Sequence, residues 1–105
     1  MEQRSAGDTI IRQGERGNKF YIIVRGHVEV VKHAEGGIET IIAHLQDGQY
    51  FGEIALLRHI ARTADVRAVS DSVFLTLTSQ QLLPLIERYP DLKQQLEEEI
   101  TQRLS

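Results

Sequence analysis

The chain has 105 residues, 41% of them hydrophobic and 26% charged, with a net charge of −3; that is enough for one domain with a modest core and too little for two. Cysteine is absent, which excludes disulfides, zinc–thiolate sites, iron–sulfur clusters and a cysteine nucleophile and suits a reducing compartment. The mild acidity argues against a nucleic-acid-binding surface, and the apolar runs are too short to span a membrane.

In chain order, Met1–Arg16 is polar and Gly/Arg-rich, without the apolar centre of a signal peptide, so the cytoplasm is the expected location. From Gly7 to Leu77 short runs of Ile, Val, Thr, Phe and Tyr are separated by glycines at Gly7, Gly14, Gly17, Gly26, Gly36-Gly37 and Gly48. Turn signals about 7–12 residues apart predict an all-β sandwich or barrel rather than βαβ units. Strands are predicted at Thr9–Gln13, Phe20–Arg25, Val28–His33, Ile38–Leu45, Arg62–Ala68 and Val73–Leu77. Val28 and Val30 alternate with Glu29 as a half-buried strand requires, and Arg25-Gly26 and Gly36-Gly37 read as hairpin turns. From Thr78 the hydrophobic period lengthens. Thr78 and Gln81 form a capping-box pattern, and Leu82, Ile86 and Tyr89 fall on one helical face. Pro84 removes a backbone donor, so this helix either kinks there or starts later. Pro90 opens a second helix, with Leu92, Leu96, Ile100 and Leu104 on one side and Glu97–Glu99 and Arg103 on the other.

The stretch Tyr50–Ala68, YFGEIALLRHIARTADVRA, is unusual for a β domain. Phe51-Gly52 ends a strand region, and Glu53-Ile54-Ala55-Leu56-Leu57 has the propensity of one or two helical turns. A short helix led by glycine leaves backbone N–H groups unpaired at its start, which favours an anion. Arg62, nine residues beyond Glu53, can grip a phosphate with a charge-assisted fork, and Arg58 and Arg67 add positive charge nearby. An ionised Glu53 accepts hydrogen bonds only, so its natural partner is a hydroxyl. The pattern describes a site for a phosphorylated and hydroxylated ligand, a nucleotide or sugar phosphate; the same Glu/Arg spacing is also what a surface ion pair shows.

With GDTIIRQGE at Gly7–Glu15, FYIIVRGHVEVV at Phe20–Val31 and FGEIALL…RTADV at Phe51–Val66, the whole chain from Gly7 to Leu104 resembles the cyclic nucleotide-binding domain family. The resemblance implies a mainly β fold, a jelly-roll sandwich or barrel over residues 7–77, with a short cassette helix and two C-terminal α-helices over 78–105 forming a helical lid, all one domain. It implies that Arg62 pairs with the exocyclic phosphate oxygens, that Glu53 accepts from the ribose 2′-hydroxyl, and that the N–H groups of Gly52, Ala55 and Thr63 complete a phosphate cradle lined by Ile54 and Ala64. The implied ligand is cAMP or cGMP, with no other cofactor. Thr63 carries a hydroxyl where relatives can use one for the guanine amino group of cGMP; cAMP-binding relatives carry hydroxyls there too, so cAMP is expected ahead of cGMP. Two departures stand out: His59 and Ala61 replace the glycine and proline usual before the arginine, and six residues precede Gly7 where the family has a helix and a full first strand. They motivate an alternative, a degenerate jelly roll that binds no nucleotide.

The remaining features point to no catalysis. There is no glycine-flanked serine elbow and no isolated carboxylate pair, so the expectation is a regulatory domain rather than an enzyme. His27, His33, His44 and His59 include no His-x-His pair and read as solvated strand-face residues rather than metal ligands. The Leu92–Leu104 stripe is core, a lid over the base, or the seam of a homodimer, and the resemblance favours the lid. Expected partners are the cyclic nucleotide and a linked or bound effector domain, with no direct nucleic acid and no membrane span in this chain.

Overall fold

The computed structural model describes residues 1–52, 60–95 and 98. Among the described residues eight strands precede the C-terminal helices: β1 (Glu2–Arg4), β2 (Thr9–Ile11), β3 (Lys19–Arg25), β4 (His27–His33), β5 (Glu39–Gln46), β6 (Tyr50–Phe51), β7 (Asp65–Ala68) and β8 (Ser72–Thr78). They form two antiparallel four-stranded sheets ordered β1-β8-β3-β6 and β2-β7-β4-β5. The pairing is nested, first strand with last and inward to β4 with β5, which is the course of a long hairpin rolled into a jelly-roll sandwich.

Alternation along β3 explains why both its faces are apolar in sequence. Tyr21 and Ile23 enter the sandwich core with Ile11, Val28, Leu45, Phe51, Val66 and Phe74. Phe20 turns the other way, into a second cluster with Leu82 and Ile86 flanked by Ile22, Tyr50, Leu77 and Leu92. In the main core, Tyr21 stacks on Phe51 at 4.9 Å and Phe74 meets Phe51 edge-on at 5.5 Å, both favoured ring geometries. Val28 is fully buried and Val30 packs on the core, as the alternation predicts, while Glu29 faces out to Arg67.

Helix α1 (Ser79–Arg88) starts at the expected cap: Thr78 accepts from the Gln81 N–H, and the Gln81 side chain accepts from the Thr78 N–H. Pro84 lies within the helix, which neither starts later nor stops there, because cap and buried face outweigh one lost bond. Leu82 and Ile86 are buried, but Tyr89 is exposed at the C-cap, so the expected face is one residue shorter. A new helical segment covers 90–95, opened by Pro90. The expected cassette helix at 53–57, and Leu96, Glu97, Glu99, Ile100, Arg103 and Leu104, lie outside the described residues.

Four further differences from the sequence reading have physical causes. β1 lies ahead of Gly7, pairing Glu2–Arg4 with Ser72–Phe74; its polar triplet carries no strand signal, and the β region begins at Glu2. β6 is two residues long, below what periodicity detects. Residues 62–64 are not strand, because the Arg62 backbone is committed to the loop before β3. Finally, Arg25-Gly26 is no hairpin turn: β3 and β4 belong to different sheets, and Gly26 is the corner between them. The Gly36-Gly37 turn does join a paired hairpin, β4 to β5.

Gly26 has φ 130°, and a Cβ there would overlap the Ser72 side chain and reach its Cα at 2.8 Å. Gly36, at φ 80°, faces open space. Gly26→Ala is therefore expected to lower stability by about 2–4 kcal/mol, combining backbone strain with overpacking, and Gly36→Ala by about 1 kcal/mol. Urea unfolding of both variants checks the order.

Candidate functional site

Arg62 is the centre of the site. Its N–H donates to the Glu15 carbonyl and its own carbonyl accepts from the Gly14 N–H, each at 2.8 Å. Its Nη1 donates to the Gly52 carbonyl and its Nη2 to the Lys19 carbonyl, also at 2.8 Å. The backbone bonds tie residue 62 to the β2–β3 loop, and the guanidinium reaches the start of β3 and the end of β6. The residue is 8% exposed, so its side chain is not on the surface. A guanidinium keeps its positive charge when buried and can fork onto a phosphate or carboxylate.

Close approach by glycine makes this geometry accessible. A Cβ at Gly52, whose φ is 90°, would come within 3.0 Å of the Lys19 carbonyl and 3.1 Å of Arg62 Nη1. A Cβ at Gly17 would sit 2.5 Å from Arg62 Nη2. Beside the guanidinium a cavity of about 190 Å³ opens between β2, the β2–β3 loop and β3, lined in part by Gly17, Asn18, Lys19 and Tyr21. By itself it is below the roughly 300–1,000 Å³ of small-molecule pockets. The Tyr21 phenol beneath it is pushed up by burial, reinforced by Glu2, and stays neutral.

Of the residues expected at the site, Gly52 and Arg62 meet directly. Thr63 is half-buried and Ala64 buried in the bend leading into β7. Glu53, Ile54 and Ala55 lie outside the described residues, as do Leu56, Leu57, Arg58 and His59. Arg67 does not join Arg62; it binds Glu29 at 3.1 Å and Glu39 at 3.3 Å on the outer face of its sheet. The Lys19 carbonyl and the Gly14-Glu15 backbone were not foreseen, because backbone acceptors leave no mark in residue type.

The family model for the cyclic nucleotide-binding domain matches residues 1–89. The chain belongs to the cyclic nucleotide-binding domain family. It is 47% identical over 68 residues to a cAMP-dependent protein kinase regulatory subunit of Mycosarcoma maydis, covering 65% of this chain and 13% of that protein. The structure of the Thermus thermophilus catabolite activator protein superposes with a TM-score of 0.89 at 33% identity, covering 98% of this chain and 49% of that one. The regulatory domain of Toxoplasma gondii PKA, solved with cAMP, superposes with a TM-score of 0.82 at 31% identity, covering 93% and 38%. The chain thus spans a small part of the curated relative and under half of either solved chain. This cyclic nucleotide-binding domain is a regulatory ligand-binding unit and not an enzyme.

The bend carrying Arg62 is anchored at its other end by Asp65. Asp65 Oδ1 accepts from the Gln13 N–H at 2.6 Å, and Oδ2 lies 2.7 Å from His33 Nε2. Gln13 and His33 also exchange side-chain-to-backbone bonds. Partial burial pushes the Asp65 carboxyl up, but the Gln13 N–H, His33 and Arg67 together outweigh it and hold the carboxyl below its ordinary 3.8. A carboxylate lowered in the fold contributes stability that is present above the unfolded value and lost as pH falls through the folded one. Asp65→Asn is expected to be about 1–3 kcal/mol less stable than wild type at neutral pH, with the gap closing below pH 3.8. Denaturant unfolding at several pH values measures it.

Proposed function

We propose that the domain binds cAMP in preference to cGMP and passes the binding event through its C-terminal helices to an effector in the same chain or a bound partner. The observation that carries this reading is the buried Arg62 guanidinium fixed by the carbonyls of Gly52 and Lys19. In this reading Arg62 meets the exocyclic phosphate oxygens and Glu53 accepts from the ribose 2′-hydroxyl. The N–H groups of Gly52, Ala55 and Thr63 complete the cradle, and Ile54 and Ala64 line it. The choice of cAMP draws on one relative named as cAMP-dependent and one solved with cAMP. The lack of cysteine suits action in the cytoplasm.

Transmission is supported by connectivity. Lys19, whose carbonyl holds Arg62, is followed by Phe20; Gly52 follows the β6 pair Tyr50-Phe51. Phe20 and Tyr50 lie ring to ring at 5.4 Å and pack with Leu82 and Ile86 of α1 and with Leu92. A ligand that redistributes the Arg62 bonds acts on strands that carry the helix seat, and it shifts the helices only by its differential affinity for their arrangements.

Titration calorimetry tests the reading with cAMP, cGMP and adenosine. Arg62→Ala is expected to weaken cAMP binding by about 2–5 kcal/mol, roughly 30- to several-thousand-fold, with adenosine affinity little changed because it lacks the phosphate. Glu53→Ala is expected to cost about 1.5–3 kcal/mol. Arg62→Lys, which keeps the charge without the fork, separates lost recognition from lost folding. Equal weak heats from wild type and Arg62→Ala would overturn the proposal.

A further inference from the structure

Sequence spacing separates the histidines, but the fold brings two together. His27 at the start of β4 and His44 on β5 are 17 positions apart, and His27 Nε2 lies 3.0 Å from His44 Nδ1. In the β4–β5 register His44 is opposite Glu29, two residues from His27, so all three side chains share the outer face of the sheet. The two rings meet nearly at right angles, at 72°.

The pair rests on fixed backbone. The His27 N–H donates to Ser70 Oγ, and its carbonyl accepts from the Val69 N–H. His44 belongs to a β5 strand paired with β4 along its length. One ring is half-exposed and the other exposed, so an ion can reach them. The site is remote from Arg62, since β3 runs its whole seven residues between Lys19 and the Gly26 corner, about 20 Å.

We propose that His27 and His44 form a two-imidazole site for a divalent transition-metal ion, Zn2+ or Cu2+. Ligand nitrogens about 2.0–2.1 Å from a metal stand about 3.3 Å apart in a tetrahedron and about 2.8 Å apart at adjacent corners of a square plane. The 3.0 Å separation falls between those values, and ring rotations that turn both lone pairs off the nitrogen–nitrogen line toward one point serve either ion. In the pair as it stands one contact nitrogen donates to the other. On metal binding the donating ring moves its proton through water to its other nitrogen, both rings remain neutral, and both lone pairs face the ion. Glu29 is committed to Arg67 at 3.1 Å, and water fills the remaining coordination positions. Two neutral imidazoles that already touch bind an ion with little ordering cost, and the ion replaces a weak ring–ring bond by two coordinate bonds across β4 and β5.

The test uses untagged protein titrated with ZnCl2 and CuCl2 in a weakly coordinating buffer, followed by calorimetry and by melting temperature. One equivalent should bind, Cu2+ more tightly than Zn2+, with a rise in melting temperature by linkage. His27→Gln and His44→Gln should each weaken binding by about ten-fold or more, as each removes half the protein ligand set. His33→Gln, which alters the histidine held by Asp65 and Glu39, should leave it unchanged. Binding that survives both His27→Gln and His44→Gln, that disappears with His33→Gln, or that is absent from wild type would overturn the proposal. Cyclic-nucleotide titrations of His27→Gln and His44→Gln should match wild type, so the metal site and the Arg62 site stand or fall separately.

Discussion

One guanidinium organises this domain. Four of the hydrogen bonds of Arg62 reach Gly14, Glu15, Lys19 and Gly52, residues that belong to three separate stretches of chain. The carbonyls of Gly52 and Lys19 fix the direction in which the guanidinium lies. Preorganisation of this kind reduces the ordering cost of recognition. It also requires that nothing bulky stand close by, which is why glycine occupies positions 17 and 52.

The same strands that hold Arg62 also seat the C-terminal helix. Because β3 buries residues on both faces, one strand separates the sandwich core around Tyr21 and Ile23 from the helix seat around Phe20. A close-packed strand cannot shift one face without disturbing the other. The site and the helix are therefore mechanically adjacent although the chain places them far apart.

The outer face of the second sheet carries most of the remaining polar chemistry. Asp65, His33, Gln13, Arg67, Glu29 and Glu39 form a connected set of hydrogen bonds and ion pairs across β2's end, β4, β5 and β7. Much of this set is partly exposed, so the individual ion pairs contribute modestly. Its consequence is positional: Asp65 fixes the bend that presents Arg62 at one end of the sheet, while His27 and His44 meet at the other.

The sequence by itself determined the fold class and the helix cap at Thr78, because each depends on local physics or on a motif of fixed spacing. Alternation of Val28, Glu29 and Val30 follows from the period of a strand, and the Thr78/Gln81 exchange spans a single turn. What it could not determine was anything set by contacts distant along the chain. The strand identity of Glu2–Arg4 comes from pairing with β8, and the role of Gly26 as a corner comes from the division of β3 and β4 between sheets. The carbonyls that aim Arg62 and the meeting of His27 with His44 belong to the same class. Backbone acceptors are chemically identical at every position, and cross-strand neighbours are chosen by register, so only the tertiary structure could decide them.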